Sequence, residues 1–253
     1  MSKITRRKFL NITAISLALP FYLNSLFANT QNKITWEGIA LGAEASMTLF
    51  HNDITFVKNT LNICINEIIR LEKIFSLFDE NSYICELNRN SYLKNPPKEL
   101  VEILNFANTI SENTDGAFDV SVQPLWLIHA KFFKDTNNKD INKLKEEIQK
   151  VKEFVSYKNI LISNDEISFA KKDVQITLNG IAQGYITDKI TNILKEKGFT
   201  NVLVNLGEFN SIGGYEQNRD WNIATPYLKD IQYIKLNNSA LASSGGYGTK
   251  FDE

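Results

Sequence analysis

Apolar residues recur at helical spacing in four stretches of the chain. Val57, Leu61, Cys64, Ile68, Leu71 and Phe75 define the first amphipathic stripe. Pro96-Pro97 then introduce a second helix, with Leu100, Leu104, Ala107 and Ile110 or Ser111 on its inner face. A third spans residues 138–151 and carries only Ile141, Leu144, Ile148 and Val151 among lysines and glutamates, the pattern of a solvated surface helix. A fourth, at 181–197, lines up Ile181, Tyr185, Ile186, Ile190, Ile193 and Leu194 and stops at Gly198. Elsewhere the period shortens. Residues 34–50 alternate loosely as one or two strands around Gly38 and Gly42. Residues 160–162, 167–169 and 174–178 are short apolar runs separated by polar turns, which predicts a β-meander. Further strands fall at 201–206, 221–225, 232–236 and 240–243. The polar, irregular stretch 78–95 reads as a long loop, and 117–126 as loop or strand after the Thr114-Asp115-Gly116 break. Runs of strands mixed with helices place the chain in the α+β class.

One turn stands out chemically. Thr177-Leu-Asn-Gly-Ile-Ala-Gln-Gly-Tyr185 joins a predicted strand to a predicted helix and puts Gly180 and Gly184 at the helix entrance. Free backbone N–H groups and the helix dipole favour an anion there. A turn of this kind also occurs with no ligand, so two readings stay open: a phosphate seat or a plain connection.

The N-terminus adds a compartment. Thr5-Arg6-Arg7-Lys8-Phe9-Leu10 has the form of a twin-arginine export signal, followed by an apolar region to Leu26 that polar residues and Pro20 interrupt. Residues 1–28 are therefore expected to be a signal peptide and 29–253 the working domain. The expected location is the periplasm after passage through the twin-arginine translocase, or the inner membrane if the signal is retained as an anchor. With 28 Lys+Arg against 29 Asp+Glu, no nucleic-acid footprint is expected. Cys64 and Cys85 cannot make a disulfide framework or a cysteine metal site; either they pair once or both remain thiols. His51 and His129 are too few for a histidine metal centre.

Several loops together resemble one family. The motifs are Glu72-Lys-Ile-Phe-Ser76 with Asn81-Ser82 and Leu87-Asn88, then Ser111-Glu-Asn-Thr-Asp-Gly-Ala-Phe-Asp119 running to Pro124-Leu125. They continue with Leu178-Asn-Gly-Ile-Ala-Gln-Gly-Tyr-Ile-Thr-Asp188, Asn201-Val-Leu-Val-Asn-Leu-Gly-Glu208, Trp221 and Ala240-Leu-Ala-Ser-Ser-Gly245. In this order and spacing, residues 34–253 resemble the FAD:protein FMN transferases, the ApbE-like family. The resemblance implies an ApbE-like fold with a mixed, largely antiparallel sheet packed with helices. It implies an enzyme that splits FAD in a magnesium-dependent reaction. The FMN half passes to a threonine or serine hydroxyl of an acceptor flavoprotein, such as a subunit of a periplasmic or membrane respiratory complex, and AMP is released.

The resemblance also implies the site. FAD contacts fall at Leu41, Phe78, Ala117, Phe118, Asp119, Thr177 and Gln183, and a magnesium contact through a backbone oxygen at Gly180. These types suit the ligand. Leu41 and Phe78 can sandwich a flat apolar ring system, Asp119 can accept from a ribose or adenine, and Gly180 lets the backbone approach a hydrated metal. Taken singly, Leu41 and Phe78 read as well as core residues, Asp119 as a turn or cap, Gln183 as a helix cap, and Asn88 and Ser82 as turn formers. Two positions depart from the pattern: Thr177 replaces the usual Asp and Gln183 the usual Lys or Glu. The family's later segments, His-x-x-Asp-Pro-x-Thr-Gly and the metal-binding Asp-Ala-x-Ser-Thr, do not occur in residues 1–253. The expectation is thus a domain lacking C-terminal strands and impaired in transfer, with no general base assigned. FAD hydrolysis to FMN and AMP, or flavin binding without catalysis, are the alternatives.

Overall fold

The computed structural model describes residues 22–23, 32–134, 140–215, 219–225 and 232–244. Its contacts divide the chain into two compact units. The first comprises residues up to Arg70 together with Gln183–Ser243; the second contains Leu71–Ala182.

The first unit is built on a six-stranded sheet. Its strands are β1 (Tyr22–Leu23), β2 (Lys33–Ala40), β3 (Ala43–Phe50), β7 (Val202–Asn205), β8 (Phe209–Ile212) and β11 (Ala240–Leu241), hydrogen-bonded in that order. Every pairing in it is antiparallel. Residues 34–50 are therefore two strands, joined by the two-residue turn Leu41-Gly42 in the register Ala40↔Ala43. Alternation in β3 buries Ala45, Met47 and Leu49 on one face. Helix α1 (Ile54–Phe75) begins where the Asp53 carboxylate accepts from the Phe56 N–H at 2.9 Å. Helix α6 (Ala182–Glu196) buries Ile186, Ile190 and Leu194. It ends as the pattern predicts: Gly198 has φ +86° and Phe199 N donates to Leu194 O, a Schellman cap. A two-stranded ribbon, β9 (Trp221–Thr225) and β10 (Gln232–Leu236), adds an aromatic cluster of Trp221, Phe50 and Tyr215. Strand β8 went unforeseen, because Phe209-Asn-Ser-Ile212 shows no clear alternation.

The second unit departs more from the sequence pattern. Instead of one long loop at 78–95, it has helix α2 (Tyr83–Asn90) and strand β4 (Tyr92–Lys94). The helix is short and polar, yet Ser82 caps it and Ile84 and Leu87 are buried. Helix α3 (Lys98–Asn113) has the foreseen stripe, including fully buried Ser111. Residues 117–126 are neither loop nor strand throughout: a 3-10 turn at Val120–Val122 leads into helix α4 (Gln123–Lys134). Pro124 sits in the first turn of that helix, where its missing N–H costs nothing. Helix α5 (Ile141–Lys152) buries no residue, in keeping with a solvated surface. The meander is replaced by a three-stranded sheet in the order β4, β6 (Glu166–Phe169), β5 (Ile160–Ile162). Residues 174–178 belong to no ladder, although Val174, Ile176 and Leu178 are buried.

Most of the expected signal peptide lies outside the described residues; Tyr22–Leu23 within it pair with Ile34 and Thr35. No helix among the described residues is long and apolar enough to cross a membrane. Cys64 and Cys85 are both free thiols. Burial pushes the Cys64 thiol up to about 12, which keeps it protonated at neutral pH.

Candidate functional site

Five of the expected site residues lie on two turns of the second unit, and the structure brings those turns together. The first turn starts where α3 ends. Asp115 and Gly116 have φ of +51° and +80°, and Gly116 N reaches back to Ser111 O at 2.8 Å. The reversal leaves Ala117 exposed and Phe118 half-buried, with Phe118 N donating to Thr114 Oγ1. Asp119 follows in extended conformation and caps the 3-10 turn. Its Oδ1 accepts from Ser121 N at 2.8 Å and from Ser121 Oγ at 2.6 Å, and its Oδ2 accepts from Tyr157 N at 2.8 Å. Asp119 is therefore a cap and a tie between distant segments. Of the acceptor capacity of a carboxylate, little is left for a ribose or an adenine.

The second turn, Thr177 to Ala182, is bonded to the first. Thr177 N donates to Val120 O at 2.8 Å. Thr177 Oγ1 accepts from Asn179 N at 3.2 Å, so the hydroxyl shapes its own turn. Ile181 N and Ala182 N both donate to Leu178 O, which closes the entry to α6. Gly180 is exposed, and a Cβ added there would meet the Phe118 ring at 3.6 Å, an ordinary contact. Packing within the protein thus does not demand glycine at 180, and neither does backbone strain, since its φ is not positive. The open side of that residue is available to a ligand.

Asn88 holds the second turn from behind. Its Nδ2 donates to Ile176 O at 2.9 Å and its Oδ1 accepts from Ile176 N at 2.8 Å. Ser82, also in doubt from sequence, is fully buried; its Oγ donates to Ser76 O at 2.6 Å and accepts from Cys85 N. It is thus a cap that fixes the start of α2. Phe78, two residues past Ser76, is 68% exposed. An aromatic ring so exposed is not a core residue and offers a stacking face.

Leu41 and Gln183 belong to the first unit. Leu41 occupies the tip of the β2–β3 hairpin with φ +48°, and Gly42 follows at +77°. Positive φ at both central residues is the mark of the mirror-image hairpin turn, a place for Asn, Asp or Gly. A leucine there carries a conformational cost of about 1 kcal/mol, so the position is not explained by the turn alone. Gln183 lies in the first turn of α6, and its side chain packs against Gly207 so closely that any side chain at 207 would collide with it. Gly207 itself has φ +97°, with its N–H on Asn205 Oδ1. Thr187 Oγ1 donates to Gln183 O at 2.7 Å. Next to Gly207, burial raises the Glu208 carboxyl above its ordinary value, opposed by the Ser243 N–H that donates to it at 2.9 Å. Asn88, Ser121 and Gly207 hold the implied ligand contacts in place. Of these Asn88 and Gly207 had a signal in the sequence, as parts of the Leu87-Asn88 and Asn201–Glu208 motifs.

The donor set for magnesium is incomplete. Magnesium takes oxygen ligands and favours one or two carboxylates. Among the described residues no group of three or more His, Cys, Asp or Glu side chains could hold a metal, and Gly180 adds one backbone oxygen at most. The described residues do not fit a complete magnesium site.

The sequence profile of the ApbE family matches residues 41–253. The chain belongs to the ApbE family. It is 26% identical over 228 residues to the FAD:protein FMN transferase of Buchnera aphidicola, covering 83% of this chain and 66% of that protein. It is 24% identical over 192 residues to the FAD:protein FMN transferase of Haemophilus influenzae, covering 70% and 55% respectively. The match thus spans between about half and two thirds of these curated relatives' own lengths. The solved structure of the flavin transferase ApbE of Vibrio cholerae superposes with a TM-score of 0.74 at 17% identity, over 88% of this chain and 75% of that one. This likeness establishes the α+β fold.

Proposed function

We propose that the protein is an FAD:protein FMN transferase acting on an exported or membrane-anchored acceptor flavoprotein. One observation carries the reading. In a chain of the ApbE family, Thr177 N bonds the Thr177–Gly180 turn to Val120 O, the residue that follows the Ala117–Asp119 turn, with an open glycine beside an aromatic ring. Such a surface suits a dinucleotide whose pyrophosphate needs close backbone approach. Phe78 and Phe118, both in the second unit, supply apolar and stacking surface for the rings; Leu41, in the first unit, is a contact by the family resemblance alone. Thr177 and Gln183 offer uncharged hydrogen-bonding groups, so this chain would meet the phosphates with less charge than the usual residues there.

In the proposed reaction an acceptor serine or threonine oxygen attacks the FMN-side phosphorus. A P–O bond of the pyrophosphate breaks, and AMP leaves with the electron pair. The hydroxyl proton is lost to a base that no residue here is assigned to be. The residues of this chain contribute by holding the nucleotide in line for displacement. The magnesium requirement rests on the family resemblance alone, and no step is derived through the ion. The periplasmic location rests on Arg6 and Arg7 and their surroundings, as does use of the twin-arginine translocase.

Incubation with FAD, Mg²⁺ and a candidate acceptor domain, followed by intact-mass analysis, tests the reading. Any acceptor labelled should gain the mass of FMN less one water, with one AMP released per flavin attached; turnover should be slow, because the described residues do not complete a magnesium site. AMP release without acceptor labelling would point to hydrolysis instead. No AMP and no labelling, with FAD still bound, would leave a flavin-binding protein.

A further inference from the structure

The buried run at 174–178 poses a question of backbone pairing. Val174, Ile176 and Leu178 are 1%, 0% and 1% exposed, as in a central strand. Yet the segment has no neighbouring strand in the described structure. A buried backbone N–H or C=O must find a partner. Thr177 N finds Val120 O. Ile176 finds both of its partners in one side chain, since Asn88 gives Nδ2 to Ile176 O and takes Ile176 N on Oδ1, at 2.9 and 2.8 Å. A carboxamide has the donor and acceptor of a peptide group in the same plane, so it reproduces the two-bond exchange of an antiparallel pair. The amide orientation is determined by these partners, because reversing it would set N–H against N–H and oxygen against oxygen.

Asn88 is in turn held rigidly. It sits in the last turn of α2, whose first turn Ser82 fixes to Ser76 O and whose end closes through Ser91 N on Leu87 O. Its reach crosses 88 positions of sequence to the residue just before Thr177. Resting on the reading of 177–180 as part of the FAD seat, we propose that Asn88 is a positioning residue for that seat. Its clamp on Ile176 presets the Thr177–Gly180 turn in the conformation that receives the nucleotide. Asn88 does not need to touch the ligand. It keeps the turn from relaxing, so less ordering is left for binding to supply.

The test uses the full chain and FAD itself as probe, with affinity read from flavin fluorescence. Folding is followed by thermal melting, and the turn by hydrogen exchange over residues 174–180. Asn88→Ala should leave a folded protein with a lower melting temperature, faster exchange at the Ile176 amide, and FAD binding weakened about tenfold or more. Asn88→Asp supplies a readout that a merely structural role would not move. At about pH 8 its carboxylate still accepts from Ile176 N but opposes Ile176 O; at about pH 4, where roughly half of an ordinary aspartate is protonated, it can donate there again. FAD affinity relative to the unaltered protein should therefore recover on acidification for Asn88→Asp and stay low for Asn88→Ala. Should Asn88→Ala fail to fold, the Asn88→Asp series alone decides. Unchanged FAD affinity in a folded Asn88→Ala protein, or no acid recovery in Asn88→Asp, overturns the proposal. Failure of the unaltered protein to bind FAD overturns the functional reading instead, while exchange at Ile176 still reports on the clamp.

Discussion

The sheet of the first unit and the turn cluster of the second solve one problem by different means. Both must pair buried backbone groups. In the first, strands do it for one another: β2 and β3 run in continuous register from Lys33↔Phe50 to Ala40↔Ala43, and β7 and β8 extend the ladder. In the second, side chains do it. Asn88 pairs Ile176, Asp119 ties Ser121 to Tyr157, Ser82 joins Ser76 to Cys85, and Thr177 shapes Asn179. A ladder spreads its energy over many equivalent bonds. A side-chain tie concentrates it in one residue, and frees the backbone from strand geometry so that turns can face a ligand. The lesson is that the irregular unit should be fragile at a few named positions where the sheet is tolerant.

The largest effect should come from the most heavily used of these ties. Asp119→Ala removes three hydrogen bonds from one half-buried carboxylate and strands the Tyr157 N–H. The expected loss is about 3 kcal/mol of stability, with FAD binding falling further than stability does. Denaturant titration and FAD fluorescence would check it. A loss under 1 kcal/mol would mean that the ties share their work as a ladder does, and the contrast would fail.

The sheet unit offers the converse case, smaller and opposite in sign. Leu41 sits in a turn conformation that suits asparagine, at φ +48°. Leu41→Asn should raise stability by about 1 kcal/mol while weakening FAD binding, through loss of apolar contact. A rise in melting temperature together with a rise in FAD affinity would remove Leu41 from the site. A fall in melting temperature would show that its contacts within the protein, not the ligand, explain its presence.

This division also governs what the sequence could reveal. Periodicity finds whatever repeats: the stripe of Val57, Leu61 and Cys64, the alternation of β3, the Gly198 stop. It misled at 174–178, because an apolar alternating run looks the same whether a strand or an asparagine pairs it. It failed at Tyr83–Asn90, where eight residues bury only two apolar side chains and the capping Ser82 is the sole clear signal. Residues 117–126 read as loop or strand, yet Pro124 stands in the first turn of a helix, since a helix needs the N–H that proline lacks only from its second turn onward. Apart from the glycine turn at Thr177–Tyr185, which the pattern singled out, the site residues became visible through resemblance. What neither could show is which partners the supports take, because Asn88 to Ile176 and Asp119 to Tyr157 are contacts of the folded chain.

In the proposed function the nucleotide's phosphates approach the open face at Gly180. FAD affinity of Gly180→Val, compared with the unaltered protein at matched folding, tests it most directly. A Cβ at 180 meets only an ordinary contact with Phe118, so the variant should fold with little change in melting temperature. Its FAD binding should nonetheless fall at least tenfold, about 1.4 kcal/mol, because the added side chain fills the space left for the ligand. A folded Gly180→Val protein that binds FAD as the unaltered protein does would contradict the claim.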